Sequence, residues 1–440
     1  MNRREFLLAG VAATAAFTAK GAAADAAEKK AAAEAGKLIV SAPMLQNHSE
    51  NSVGVAFAVS AMANGFVEYS TDSTLKKAKK VKCGGFRVTD MNDKVMLVRL
   101  RGLKPATKYF YRIGADRIEY KGGYKMKRIG TETDPKIYSF TTAGAKAEGS
   151  FAVINDTHEQ WKIFGMAIEK VEELNPACVV WNGDATNCEE TIDRHVRIFL
   201  DPGIKRKDYA SCRPYSIAVG NHEVRGMAGR SLERTWMFRD PEDRQSRDWD
   251  LGRNFAVRQG DIAMIGLDTG EDKPDGHWAF AGLFCSEPYR EAQTEWLKDA
   301  LKRPEIASAP YLVAFCHIPI FYSNPDMKGN APDPRLKDLK TEYKYWQKDC
   351  GRMWGPLLER AGCQLVVSAH MHRFKCYRAS EHCRWMQIVG GGPRTQKPET
   401  GLFPTVIEGR VADGRLDVTV HDVFNRRVAE HCSFKPRHQA

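Results

Sequence analysis

Between Leu38 and Thr142 the hydrophobic residues fall at every second position. Val53, Val55, Phe57 and Val59 alternate with small residues, and Asn64-Gly65 supplies a turn signal ahead of Phe66-Val67-Glu68-Tyr69. A period of two, broken by turn residues, predicts an all-β sandwich over residues 37–143. The pattern then changes. Ser150 to Ile154 is an apolar strand, Phe164, Ile168, Val171 and Leu174 recur at helical spacing, and Cys178-Val179-Val180-Trp181 is the next strand, a β-α-β unit. Further apolar strands follow at Tyr215 to Val219, Ile262 to Leu267, Tyr311 to Phe315 and Leu365 to Val367, so residues 148–434 read as an α/β domain.

At 440 residues and 43% hydrophobic content the chain can build two or three domains with real cores. Residues 1–24, MNRREFLLAGVAATAAFTAKGAAA, stand apart from both patterns. An arginine pair precedes an apolar run, Phe6 to Ala19, too short to span a bilayer, and small residues suited to cleavage follow. Arg3-Arg4 followed by Glu5, Phe6 and Leu7 resembles a twin-arginine export signal, which implies delivery of folded protein to the periplasm or outside the cell. The Ala/Lys-rich run 25–36 reads as a flexible spacer, and no later segment is apolar enough to anchor the mature chain in a membrane. The eleven cysteines include no C-x-x-C pair, which excludes a zinc knuckle and a dense disulfide framework. Cys178 and Cys316 sit in apolar runs as buried hydrophobes, and Cys376 and Cys383 could pair across a hairpin.

The formal net charge of +11 is concentrated in one segment: residues 37–143 carry 19 basic and 9 acidic groups, residues 144–440 carry 42 of each. Lys76, Lys77, Lys79, Lys80 and Lys82 form one group and Lys121, Lys125, Lys127 and Arg128 another. Lysine runs are ordinarily solvated faces that aid solubility, and that is the expectation here. The sharper alternative is a patch for an anionic surface such as phospholipid or an acidic polymer. Aromatic residues for stacking bases do not interleave with the first run, so no dedicated nucleic-acid site is expected.

Candidate chemistry follows the strands of the second domain. Asp156-Thr157-His158 comes after the first, Gly183-Asp184 after the second, Gly220-Asn221-His222-Glu223 after the third, His317 after a later one, and His370-Met371-His372 after the last. In α/β sheets the carboxyl ends of the strands share one edge, where ligands bind, so five polar clusters converge. Each alone is an ordinary turn or a core histidine. Together they offer two Asp, one Asn and four His besides His222, a mixed N/O set suited to zinc, iron or manganese. Five of the twelve histidines of the chain fall at these ends, which chance explains poorly.

In order and spacing, D-x-H, G-D, G-N-H-E, H and A-H-x-H resemble the calcineurin-like metallophosphoesterase superfamily over residues 148–425. The stretch LRGLKPATKYFYRIG, residues 100–114, is similar to fibronectin type III domains through Leu103, Pro105, Thr107, Tyr109, Tyr111 and Ile113. The combination is similar in architecture to purple acid phosphatases. The resemblance implies a four-layer α/β/β/α sandwich after the fibronectin-like domain, and hydrolysis of small phosphate esters, monoesters first. It implies one metal ion on Asp156, His158 and His372, a second on Asn221, His317 and His370, with Asp184 bridging both and a shared hydroxide as nucleophile. His222 would stabilise or protonate the leaving group.

This sequence departs from purple acid phosphatases at two positions. His158 stands where they have glycine, and Asn187 where they have the tyrosine that colours a ferric ion. Ala369 also replaces the usual glycine of the last motif, harmless unless that position needs positive φ. Phosphodiesters, nucleotides or phospholipid headgroups are the alternative substrates, with Arg225, Arg373, Tyr322 and segments 225–259 and 322–349 as candidate pocket walls. A surface-binding protein on a degenerate scaffold is the reading of another class, and the intact ligand set argues against it. A metallo-β-lactamase-like hydrolase fails because no Asp-His follows His372 at that motif's spacing.

Overall fold

The computed structural model describes residues 36–83, 93–238, 251–320, 344–380 and 383–438. The leader at 1–24, all of the spacer except Gly36, and Tyr322 lie outside these residues. The N-terminal part holds β1 (Met44–Gln46), β2 (Val53–Ala58), β3 (Ala63–Ser70), β4 (Lys79–Lys82), β5 (Val95–Leu100), β6 (Lys108–Tyr120), β7 (Met126–Thr133) and β8 (Tyr138–Thr141). The second part contributes β9 (Ser150–Ile154), β10 (Cys178–Trp181), β11 (Tyr215–Ile217), β12 (Phe255–Gln259), β13 (Ile262–Leu267), β14 (Tyr311–Cys316), β15 (Leu365–Ser368), β16 (Lys375–Tyr377) and β17 (Met386–Val389). A final meander, β18 (Thr405–Ala412), β19 (Arg415–Asp422) and β20 (Arg427–Phe434), closes the chain.

These strands form three sheets. The first runs β20-β19-β18-β9-β10-β11-β1-β2-β5, the second β12-β13-β14-β15-β17-β16, and the third β4-β3-β6-β7 with β8 also on β6. Alternation along the strands sorts their side chains into layers. On β9, Ala152 and Ile154 face helix α1 (Trp161–Leu174) with Phe164, Ala167, Ile168 and Val171, whereas Phe151 and Val153 face the second sheet. That sheet meets them with Met264, Val313, Phe315 and Val367. On its far side Ile265, Leu312 and Val366 pack on Trp296, Leu297 and Ala300 of helix α2 (Ser286–Lys302). The second part is therefore a helix-sheet-sheet-helix sandwich, preceded by an antiparallel β domain.

The N-terminal core gathers Val53, Val55, Phe57, Tyr109, Tyr111 and Phe140, all buried. Tyr109 makes a tyrosine corner, accepting the Lys104 N–H on its hydroxyl at 3.0 Å. The turn signal at Asn64-Gly65 is overturned: the chain bends at residues 60–62, and both residues lie inside β3, opposite Asp116 and Ala115 of β6. Gly65 is there for close packing, since a Cβ would stand 2.6 Å from the Met96 Cβ. In the lysine runs, Lys80 lies over the Phe66 ring and near Glu68, and Lys82 pairs with Asp116 at 3.0 Å. The suggested Cys376–Cys383 bridge does not form. Both thiols are free, because Cys383 belongs to the core under α2 while Cys376 packs against the core between the sheets.

The two parts share a sheet. β1 pairs in parallel with β11 through Gln46 and Tyr215, so strands of the sandwich continue the sheet that carries the first polar clusters. The even residues Ala56 and Ala58 of β2 enter the same core as α1. Across the seam the buried Tyr111 hydroxyl donates to the Ser211 carbonyl at 2.7 Å. Among the described residues, no helix is long and apolar enough to cross a membrane.

Candidate metal centre

Every candidate ligand follows a parallel strand. Asp156 and His158 leave β9, Asp184 leaves β10, Asn221 and His222 come after β11, His317 follows β14, and His370 and His372 follow β15. Five residues in three of these turns are left-handed: φ is 45° at Asp156, 44° at His158, 51° at Asp184, 69° at His370 and 52° at His372. Such backbone costs a residue with a Cβ roughly 1–2 kcal/mol, so the strand ends are held there by their surroundings. Ala369 is not among the positive-φ residues, and its replacement of glycine carries no strain. The glycines beside the ligands permit close approach. At Gly183 a Cβ would meet the His317 ring at 2.3 Å, and at Gly220 it would meet the Asp184 carboxylate at 2.4 Å.

The turns bring two groups of donors together. Asp156, His158, Asp184 and His372 offer atoms all within 4.8 Å of one another, and Asp184, His317 and His370 do the same. Asp184 belongs to both. Asn221 is buried, with its Oδ1 unpartnered among the described residues, as is the Asp156 Oδ1. Two of the imidazoles are oriented from behind. Asn187 donates its amide to the His158 carbonyl at 3.1 Å, which turns its Oδ1 to the His158 Nδ1 at 3.2 Å and leaves Nε2 with the lone pair. His317 Nδ1 donates to the Asn182 carbonyl at 2.8 Å, and its Nε2 lies 3.1 Å from Asp184. The Nε2 atoms of His158 and His372 meet at 2.9 Å. Lone pairs and carboxylates aimed at common points, backed by carbonyls and an amide, fit a binuclear metal site.

The electrostatics agree. Burial raises the Asp156 carboxyl to about 6, against the pull of His317. Burial opposes charge on His317 too, but Asp184 and Asp156 outweigh it and raise that ring to about 10. Asp184, against the same burial, is held well below the ordinary carboxylate range by His317. Burial lowers His370 to about 3 and His372 to about 4, and lowers His158 as well. Three neutral rings and an ionised shared carboxylate are the protonation states that metal binding needs, whereas His317, protonated between the two aspartates, has to give up its Nε2 proton to a cation.

His222 sits beside this cluster. Its backbone N–H donates to Asp184 at 3.1 Å, its Nδ1 donates to the Asn187 carbonyl at 2.5 Å, and its Nε2 faces an Arg225 N–H at 3.3 Å. Glu223 belongs to the third polar cluster and Arg225 was expected as a pocket wall, whereas Glu271 and Asp272 were not apparent in the linear pattern. The buried Glu223 carboxylate accepts N–H groups from Asp184, Ala185, Thr186 and Gly220, clamping two ligand loops together. Arg225 is held by Glu271 at 2.7 Å, and Asp272 reaches to 3.6 Å from the His370 Nε2. Glu223 had a signal, its place directly after Asn221-His222. Asp272 had none, because its partner lies about a hundred residues away.

Residues 149–374 match the family model described as calcineurin-like phosphoesterase, about half of the chain. Purple acid phosphatase 21 of Arabidopsis thaliana is 22% identical over 350 residues, covering 75% of this chain and 67% of its own length. Probable purple acid phosphatase 20 of the same plant is 23% identical over 297 residues, covering 66% of this chain and 56% of its own. The chain thus spans between about half and two thirds of these relatives. Among solved structures, the purple acid phosphatase PPD1 from yellow lupin seeds superposes with a TM-score of 0.59 at 14% identity, over 89% of this chain and 74% of that one. PhoD superposes with a TM-score of 0.58 at 11% identity, over 90% of each chain.

Proposed function

The chain belongs to the calcineurin-like phosphoesterase family, and on that premise we propose that it hydrolyses phosphate monoesters at a two-metal centre. In this reading Asp156, His158 and His372 hold one cation, Asn221, His317 and His370 hold the other, and Asp184 is shared. The observation that carries the reading is the single carboxylate common to both donor groups, with every donor within 4.8 Å of the others in its group. Cations held by these residues would supply Lewis acidity, polarising a phosphoryl group and lowering the pKa of a bound water.

The protein's own groups do the rest. The Asn187 and Asn182 carbonyls and the Asn187 amide fix three imidazoles in one orientation, so little reorganisation is needed when a phosphate arrives. With Nδ1 donating to the Asn187 carbonyl and Nε2 facing the Arg225 N–H, His222 stands beside the site, where it can protonate the departing ester oxygen only once Nε2 carries a proton and turns from Arg225. A monoester brings two negative charges, and Arg394 is near enough to lower the His372 pKa, behind burial, the carboxylate pull of Asp184 and His317. A cation on that side supports a dianionic substrate over a diester. The twin-arginine-like leader supports export in the folded, metal-loaded state to the periplasm or beyond.

The test is an assay of purified protein with matched aryl monoesters and diesters, each with manganese, zinc or iron, alongside metal analysis. Monoester turnover with about two metal equivalents per chain is the expected result. Faster diester cleavage would replace the substrate class, and no hydrolysis with any ester and metal would overturn the proposal. Export is read separately by cell fractionation, with Arg3→Lys/Arg4→Lys expected to leave the protein in the cytoplasm.

A further inference from the structure

A loop that turns apolar side chains outward stands beside the metal centre. Residues 274–285 are built to keep this shape. The Asp275 carboxylate accepts the Ser286 N–H at 2.7 Å and the Glu287 N–H at 3.1 Å, which ties the loop to the start of α2. His277 Nδ1 accepts the Ala279 N–H at 3.3 Å, and Trp278–Phe280 form one short 3-10 turn with no buried residue. Trp278 stacks on the His277 ring and is still 86% exposed. Leu283 is exposed on the same loop, and Met227 is exposed on the segment between Arg225 and Arg230. Both of those arginines touch the loop: Arg225 lies over the Phe280 ring at 5.7 Å, and Arg230 donates to the Leu283 carbonyl at 2.6 Å. Three of the four most exposed large hydrophobic side chains among the described residues therefore gather on two adjoining segments. Single exposed apolar residues are ordinary, whereas such a concentration at the mouth of a site marks a surface that a ligand covers.

Two series of contacts fix where the loop stands. Arg225, beneath Phe280, faces His222 Nε2 at 3.3 Å. Lys273, 5.8 Å from the centre of the same ring, pairs with Asp272 at 2.6 Å, and Asp272 reaches to 3.6 Å from His370 Nε2. The loop is thus on the His222 side, toward which the departing group leaves. Glu271 and Asp272 already hold both cations, so the loop offers ring faces and apolar area rather than charge. An ester with its phosphoryl group at the metal centre and its leaving oxygen toward His222 carries its organic part past Arg225 to Trp278.

We propose, resting on the phosphoesterase reading of the metal centre, that this loop selects phosphate monoesters whose departing group carries an aromatic ring. Trp278 is the stacking face, and Met227 and Leu283 are its apolar flanks.

Naphthylethyl phosphate and ethyl phosphate are the test pair, because their departing alcohols are alike in acidity and differ in the ring. In the wild-type chain kcat/KM should favour the naphthylethyl ester about tenfold, through KM, and Trp278→Ala should abolish that preference. Tyr124→Ala, at an equally exposed ring of the N-terminal domain, should leave it intact. The corresponding non-hydrolysable phosphonates, titrated calorimetrically with manganese present, should show the same preference and the same loss. No turnover of either ester, with a phosphonate preference that disappears in Trp278→Ala, would overturn the activity and uphold the loop. Turnover with a preference that Trp278→Ala does not move overturns the loop and upholds the activity. Release of the protein from phosphatidylglycerol vesicles by Trp278→Ala, with the ester preference unmoved, would make the loop a membrane contact and likewise overturn the proposal.

Discussion

At the scale of single residues, the centre depends on groups that touch no ligand atom of the substrate. Asn187 occupies an exposed position, yet its amide sets the tautomer of His158 and its carbonyl sets that of His222. Asn187→Leu removes the amide and keeps the carbonyl. It should weaken the cation on the His158 cluster by about 10–100-fold and leave the second cation and the melting temperature nearly unchanged, read by metal titration. Glu223 is the opposite case, a buried clamp. Glu223→Gln would turn amide hydrogens toward N–H donors, and chemical denaturation should show a loss of about 2–4 kcal/mol; an unchanged midpoint would show that the clamp is dispensable. The convergence of these side chains was legible in the sequence because each follows a strand end, but the single shared edge was not right: β9, β10 and β11 belong to one sheet and β14 and β15 to the sheet facing it. Glu223's role was not legible, since a Glu after a histidine carries no sign of which four amides it will meet.

At the scale of elements, strands and the first helix were legible because their apolar residues repeat with the period of the structure. The helix predicted from Phe164 to Leu174 spans Trp161–Leu174, and Ser150 to Ile154 is the strand expected. Asn64-Gly65 misled because glycine signals a turn and a tight packing contact equally, and only the presence of Met96 on β5 of the facing sheet decides between them. The pairing of β1 with β11 joins residues separated by about 170 positions and leaves no local trace. That seam predicts a pH effect. His48, packed there against Gln259, has its pKa lowered to about 4 by burial. The unfolded chain takes up a proton as pH falls through 6.5 while the folded chain does not until about 4, so stability is intact above 6.5 and declines between these values by ~3 kcal/mol. Denaturation of wild type and His48→Gln in phosphate-free buffers should show a steeper acid loss for the wild type; parallel curves would remove His48 as the cause.

At the scale of the whole molecule, the basic N-terminal part is an integral wall of the catalytic part. Met44, Ala56, Ala58, Val95 and Leu97 share one buried cluster with Phe164, Trp181 and Tyr215. Arg99 reaches across to the Met237 and Phe238 carbonyls, and Ser211 donates to the Pro43 carbonyl. Removing residues 37–143 would expose the edge of β11 and half of a core, so residues 144–440 alone should be insoluble or unfolded. Calorimetry of the full chain should accordingly give one transition whose calorimetric and van't Hoff enthalpies agree, and two separable transitions would contradict a shared core.

The left-handed turns at Asp156, His158, Asp184, His370 and His372 also bear on how this protein can be improved. Each is a place where glycine would relax the backbone by about 1 kcal/mol and erase a donor. A screen that rewards heat resistance alone would therefore drift toward tougher chains that no longer bind metal. Thermostable variants have to be selected with turnover as a second criterion, or the search will converge on inert scaffolds.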